Sequence, residues 1–224
     1  MNRQHAGLLG RALAPLFTSL TVAALLLGGC GKPAATRPAP VPAPQPQPQA
    51  NQRDLPYFVL EPGWTYLFKA PGGVESRLEI KDQASVEDPV SGRKATGYQL
   101  VWDEETIITA IDQDWVVELG DAGEGGTLIY RAPKRRFPLH PTEGQTWVES
   151  FEEDIQGSGA FTYRVTGFET VETPAGRFEH AARVEVSLDA PSGRDQWTEW
   201  YAPGVGLVKK SSGVELVKLE KPAS

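Results

Sequence analysis

A single thiol, three imidazoles and a few short runs of carboxylates are the groups in this 224-residue sequence with the means to do chemistry. His5 stands near the start, His140 lies between Leu139 and Pro141, and His180 follows shortly after Pro174-Ala175-Gly176. None has a second histidine at a spacing that would share a metal, so zinc and general-base chemistry find no support. Asp103-Glu104-Glu105 and Glu152-Glu153-Asp154 offer oxygens to a divalent cation, but short acidic runs beside strand ends read first as solvated loops. Asp121 to Gly126 lacks the alternating ligands and distal Glu of a calcium-binding loop. Gly157-Ser158-Gly159 lacks the Gly-x-Ser-x-Gly frame of an activated serine and reads as a hairpin tip. No Gly-rich loop runs into Lys-Ser or Lys-Thr, as a phosphate cradle requires. Lys134-Arg135-Arg136 is the one concentrated basic spot and reads as a solvated loop. The expectation is no catalytic residue, no metal ligand, no cofactor and no enzyme.

The thiol is different, because its surroundings specify a reaction. Arg3 and Arg11 precede an apolar span from Ala12 to Leu27, and Gly28-Gly29 stand directly before Cys30, the only cysteine. This arrangement resembles the lipobox of bacterial lipoproteins, in which the sulfur receives a diacylglyceryl group and the preceding peptide is removed between Gly29 and Cys30. The span is about 16 residues, interrupted by Pro15, and falls short of the roughly 20 that cross a bilayer. An uncleaved anchor helix and a conventional signal peptide without lipid are the competing readings. With its cysteine committed to lipid, the chain has no thiol left for a disulfide.

Charge narrows the choice of partner. From Asp54 onward 17 basic residues face 29 acidic ones, a formal charge of −12. That sign repels phosphate backbones and anionic headgroups, so nucleic acid is excluded as an expected partner. Membrane contact is expected through the lipid on Cys30 alone.

Three segments follow from composition: a signal over 1–29, a lipidated cysteine with a Pro/Ala/Gln-rich linker over 30–53, and a folded domain over 54–224. Prolines at every second residue across much of the linker fix φ and remove donors, which favours an extended tether over a packed core. After Asp54 the apolar period becomes two: Trp64, Tyr66 and Phe68; Leu78 and Ile80; Tyr98, Leu100 and Trp102; Trp115, Val117 and Leu119; Phe161, Tyr163 and Val165; Val184, Val186 and Leu188. Turn signals separate these runs, among them Pro71-Gly72-Gly73, Pro174-Ala175-Gly176 and Pro203-Gly204. The pattern predicts an all-β domain: one strongly curved antiparallel sheet, half-barrel or barrel-like. A weak echo at an offset near 85 residues, from Glu61-Pro62-Gly63-Trp64 to Glu143-Gly144-Gln145-Thr146-Trp147 and onward, suggests two similar halves.

Val171 to Phe178, with its Thr-Pro-Ala-Gly turn, and Trp200-Tyr201-Ala202-Pro203-Gly204-Val205-Gly206-Leu207-Val208-Lys209 are the most specific strings. Together with Phe137-Pro138-Leu139 they resemble a group of uncharacterised bacterial envelope proteins, many of them lipoproteins. The resemblance implies a curved antiparallel sheet and transfers no enzymatic residue.

Two functions are then expected to compete. One is an envelope lipoprotein whose domain is a non-catalytic interaction or structural module, with another envelope protein as its partner. The other is a carrier or sensor of an apolar or lipid ligand, with Trp64, Trp102, Trp115, Trp147, Trp197 and Trp200 lining the concave face. The six tryptophans serve as packing aromatics under the first reading and ligand contacts under the second. Gly31, rather than Asp, follows the cysteine, so in a host with two membranes the expected place is the outer membrane, facing the periplasm.

Overall fold

The computed structural model describes residues 54–153, 157–191 and 193–222, the side chains of 152, 153 and 157 excepted. The proposed signal, Cys30 and the linker lie outside these residues. The domain is all-β, as the alternating pattern predicts. Twelve strands follow one another: β1 (Thr65–Lys69), β2 (Glu75–Glu87), β3 (Lys94–Trp102), β4 (Glu105–Asp112), β5 (Trp115–Gly123), β6 (Gly126–Pro138), β7 (Thr146–Glu153), β8 (Gly157–Thr173), β9 (Gly176–Ala190), β10 (Gly193–Ala202), β11 (Gly206–Lys210) and β12 (Glu215–Glu220). A 3-10 turn, Pro71–Gly73, links β1 to β2.

All strands join one antiparallel sheet in the order β6-β5-β4-β3-β2-β1-β12-β11-β10-β9-β8-β7. The first six strands and the last six are therefore two meanders, joined where β1 pairs with β12. The sheet curls into a nearly closed barrel whose two free ends are β6 and β7.

The echo in the sequence has a structural counterpart. Before β1, Gly63 donates its N–H to the carbonyl of Ile80 at 2.7 Å, and the Ile80 N–H returns to Trp64 at 2.9 Å. Before β7, Gly144 donates to Val165 at 2.9 Å, and the Val165 N–H returns to Gln145 at 2.9 Å. Both glycines sit at positive φ, +86° and +82°, where a Cβ would be strained. Each motif is followed by a bulge, between Lys81 and Gln83 in one half and between Val165 and Gly167 in the other. Two copies of one local solution thus start the two meanders.

The concave face is filled by side chains at alternate positions. Tyr66 and Phe68 are buried, Phe68 stacks on Trp102 at 5.3 Å, and Trp147 stacks on Tyr163 at 4.9 Å. Burying aromatic area of this kind is worth about 1.5–3 kcal/mol per side chain. A strap, residues 54–60, crosses one mouth of the barrel. Tyr57 and Leu60 are its buried residues, and Tyr57 ties it down: its N–H donates to the Leu139 carbonyl at 2.9 Å and its hydroxyl to the His180 carbonyl at 2.7 Å. The strap's Pro56 carbonyl accepts the Gly204 N–H at 2.8 Å.

Strand phase departs from the sequence reading in β5. Trp115, Val117 and Leu119 were expected on the inner face, yet the interior hollow is lined by Val116 and Glu118. Val116 and Val117 are both buried, so apolar residues occupy both faces of the strand, and Leu119 is the extra residue of a β5 bulge opposite Ile108/Thr109. Gly157-Ser158-Gly159 is no hairpin tip either: all three residues lie in β8, paired with β7. A Cβ on Gly159 would meet the Phe151 ring at 2.5 Å, so the glycine makes room for an aromatic.

Candidate functional site

Charge is the unexpected content of the interior. On β10, Trp197, Glu199 and Tyr201 take the inward positions, and Glu199 is only 1% exposed. Its Oε1 accepts from the Trp197 indole N–H at 3.0 Å and meets the Lys210 ammonium at 3.0 Å. Its Oε2 accepts from the Tyr201 hydroxyl at 2.5 Å and faces Arg136 Nη2 at 3.6 Å. Arg136 donates from Nη1 to the Tyr163 hydroxyl at 2.9 Å, and its Nε lies 3.8 Å from Glu118.

A bulge brings Arg136 here. Val116 pairs with Phe137 and Val117 with Arg135, so Arg136 is the extra residue of β6. A bulge re-aims the side chain it leaves unpaired. The reading of Lys134-Arg135-Arg136 as one solvated patch is thereby corrected. Lys134 lies over the Tyr130 ring at 3.7 Å, Arg135 over Trp115 at 5.0 Å, and Arg136 enters the barrel.

Two cations and two carboxylates balance in this network. Burial pushes the Glu199 carboxyl up, but Lys210, Arg136 and the donors of Tyr201 and Trp197 together outweigh it and hold it down at about 2. For Glu118 burial wins over the attraction of Arg136, and its carboxyl stands above the usual range. Burial, with Glu199 beside it, also pushes the Tyr201 phenol far up despite the pull of Arg136. At neutral pH Glu199 is an anion and Tyr201 a neutral donor, each already engaged. The chemistry on offer is cohesion: Arg136, from the free strand β6, is tied to Tyr163, Glu199 and Tyr201 of the second meander. The gap between β6 and β7 is bridged by side chains as well, with Glu149 Oε1 accepting the Arg135 N–H at 2.9 Å and Trp147 packing edge-on to Trp115 at 5.4 Å.

Next to the network lies a hollow of about 50 Å³, lined mainly by apolar residues such as Phe58, Phe68, Leu100 and Trp102 and reached by Glu118, Arg136 and Tyr201. Pockets for drug-sized ligands hold roughly 300–1,000 Å³, so the concave face is a packed core and the apolar-cargo reading loses its space.

The six tryptophans do not share one site. Trp64 and Trp147 are buried, Trp102 lines the hollow, Trp115 and Trp147 pack at the β6–β7 gap, and Trp197 serves Glu199. Trp200 points the other way from its buried neighbour Tyr201 and donates to Glu169 on the outer side. Lys221 covers Trp64 at 4.2 Å. Among the described residues no group of three metal-ligating side chains converges. His140 is exposed, and His180, at φ +57° in a β9 bulge, stacks on Phe168 at 4.5 Å. Asp121 accepts the Tyr130 hydroxyl at 2.7 Å within the β5–β6 hairpin. Gly29 and Cys30 lie outside the described residues. Glu199 went unnoticed in the sequence; the signal was there, as an acidic residue at an inward position between two aromatics.

Comparison with known proteins adds a family likeness. No curated protein matches the sequence. Among solved structures, a Bacteroides fragilis NCTC 9343 protein described as a "putative exported protein with YmcC-like fold" aligns at 12% identity and a TM-score of 0.39, over 75% of this chain and 100% of that one. Residues 156–212, about a quarter of the chain, match a family model described as DUF3108-like, and this stretch holds both the Thr173–Phe178 turn and the Trp200–Lys209 hairpin.

Proposed function

We propose that the chain is an envelope lipoprotein, held to the membrane by acyl groups on Cys30, whose β domain is a non-catalytic interaction or structural module. In a host with two membranes its place is the outer membrane, with the domain facing the periplasm. The observation that carries this reading is the single cysteine at the end of an apolar run, directly after two glycines and directly before a Pro-rich tether. The folded domain is consistent with it. Its strap begins where the tether ends, its core is filled, and its buried charges answer one another instead of a substrate.

Radiolabelled palmitate fed to producing cells tests the anchor, read together with the mass of the purified mature chain. The expected product is acylated and begins at Cys30, while Cys30→Ser is unlabelled and released from membranes. A mature chain that keeps residues 1–29, or that carries no acyl group, would overturn the proposal.

A further inference from the structure

The strap over the barrel mouth sits in a receptor with the features of a peptide-binding site. One peptide unit, between Pro56 and Tyr57, spans the mouth: its carbonyl accepts the Gly204 N–H at 2.8 Å, and its N–H donates to the Leu139 carbonyl at 2.9 Å. The carbonyl and N–H of a trans peptide point opposite ways, so this unit bridges the β10–β11 turn and the end of β6 as a ladder rung would. Gly204 and Gly206 lie at positive φ, and a Cβ on Gly204 would come within 2.9 Å of the Leu55 side chain. Leu139 and Gly204 belong to the specific strings Phe137–Leu139 and Trp200–Lys209, which the lipid anchor does not explain.

Selectivity comes from the side chain that follows. The Tyr57 ring sits among Phe137, Phe168 and His180, at 6.5, 6.1 and 6.4 Å between ring centres. Its hydroxyl reaches the His180 carbonyl at 2.7 Å, and His180 is held at φ +57°, a conformation that side chains resist. Such strain persists only where the surroundings enforce it, and it clusters at ligand clamps. Lifting the strap breaks all three bonds. A guest that restores them needs a backbone N–H, a backbone carbonyl and a hydroxyl-bearing ring; a lipid tail supplies none of these.

The strap is also placed to leave. It pairs with no strand among the described residues, and the tether runs straight into it, so tension between lipid and domain acts on it first. Segments with few backbone bonds open locally, at less cost than global unfolding. Glu61–Trp64 is too short a leash for exchange with a second copy, since Gly63 and Trp64 are bonded to Ile80. We propose that the mouth is a peptide-binding site closed in cis by residues 54–60, and that its partner is an extended segment of another envelope protein with a tyrosine in the place of Tyr57. This deepens the reading of the domain as an interaction module and rests on it.

The test uses the full chain in detergent and a fluorescein-labelled peptide of residues 54–60, followed by anisotropy. A chain lacking 54–60 is expected to bind the peptide saturably, tighter than the intact chain by about tenfold or more. Tyr57→Ala in the peptide should weaken binding by about tenfold or more, through loss of a buried ring and one hydrogen bond. A scrambled peptide of the same composition reports uptake by the micelle alone. Where the deletion does not fold, Tyr57→Ala in the full chain takes its place, because it loosens the strap and should likewise bind the wild-type peptide more tightly than the intact chain. No binding by the opened chain, or binding indifferent to Tyr57→Ala in the peptide or to scrambling, overturns the site. Amide exchange on the intact chain tests release: the Tyr57 amide should exchange faster, by about tenfold or more, than those of Ile80 and Val165 inside the sheet. Equal rates, with strap and sheet opening only together, overturn the proposal too. Neither failure touches the acyl anchor, which the palmitate label and the mature mass test separately.

Discussion

Glu199 is 1% exposed, and its carboxylate depends on partners from three strands, so single substitutions around it have unequal costs. Removing one partner of a buried ion pair leaves the other charge stranded, typically at 3–5 kcal/mol. Arg136→Leu should therefore lower stability by about 3–5 kcal/mol in urea titration. Arg136→Leu combined with Glu199→Gln, Glu118→Gln and Lys210→Met should recover a large part of that loss, since the combined variant leaves neither a carboxylate nor the Lys210 ammonium stranded. A combined variant as unstable as the single one would show that Arg136 acts through packing alone. The pH dependence has a defined sign. The Glu199 carboxyl lies at about 2 when folded, below its ordinary 4.5, so it stabilises the native state above that ordinary value. This contribution, roughly 3 kcal/mol at full size, is lost as pH falls from about 4.5 towards about 2. Glu118 works in the opposite sense: its carboxyl is raised on folding, so stability declines as pH rises above 4.5 through the raised value. Urea midpoints measured from pH 7 to pH 3 should fall steeply at the acid end in the wild type and much less in Glu199→Gln.

At the scale of elements, the strap and the bulges decide what the strands alone do not. Tyr57 closes the barrel mouth from a segment with no strand pairing of its own, and its ring meets Phe168 at 6.1 Å and Phe137 at 6.5 Å. Tyr57→Phe removes only the bond to the His180 carbonyl and should cost about 1 kcal/mol. Tyr57→Ala also empties the buried site and should cost about 3–5 kcal/mol, read as a drop in thermal midpoint. Equal losses in the two variants would mean that the ring contributes nothing. Gly120 makes a sharper case: a Cβ there would lie 2.4 Å from the Leu128 carbonyl oxygen, a backbone atom that cannot swing aside. Gly120→Ala should destabilise by more than about 2 kcal/mol, whereas Gly72→Ser, with open space around it, should cost far less despite its positive φ. Period-two alternation made most strands and their faces legible in the sequence, as with Trp64, Tyr66 and Phe68. It misplaced Arg136 because a bulge adds one residue without any change of composition, and one residue moves every later side chain to the other face. It misread the β5 face because Val116 and Val117 are both apolar and both buried, so alternation does not tell the two faces apart. The paired charges stayed hidden for a related reason: Arg136 of β6 meets Glu199 of β10 across the barrel, a pairing that no local pattern announces, and only β10 carried a local hint, in Trp197-x-Glu199-x-Tyr201.

For the molecule as a whole, the deciding contact is the one between its first and last strands. β1 and β12 are separated by some 150 residues, yet their pairing, Thr65 with Glu220 to Lys69 with Glu215, is what makes two meanders one sheet. The two halves were readable as an echo because the same opening turn recurs; that they join through β1 and β12 was not, since no local feature names a partner across the chain. Closure cannot be replaced by packing within either half, because the core is continuous: Leu216 of β12 is fully buried, and Phe137 of β6 stacks on Tyr201 of β10 at 4.0 Å. Long loop closure must be met before such contacts stabilise anything, which makes folding slow, in the millisecond-to-second range typical of non-local β topologies. A chain ending at Ser212 keeps β1 to β11 and loses only the strand that joins the halves. It should therefore lose far more than the burial of one short strand: its urea unfolding should broaden and show a reduced m-value, with hydrophobic dye binding in the absence of denaturant. A sharp transition with the full-length m-value would show instead that each meander holds its own core, and that β12 is an ornament on two independent units.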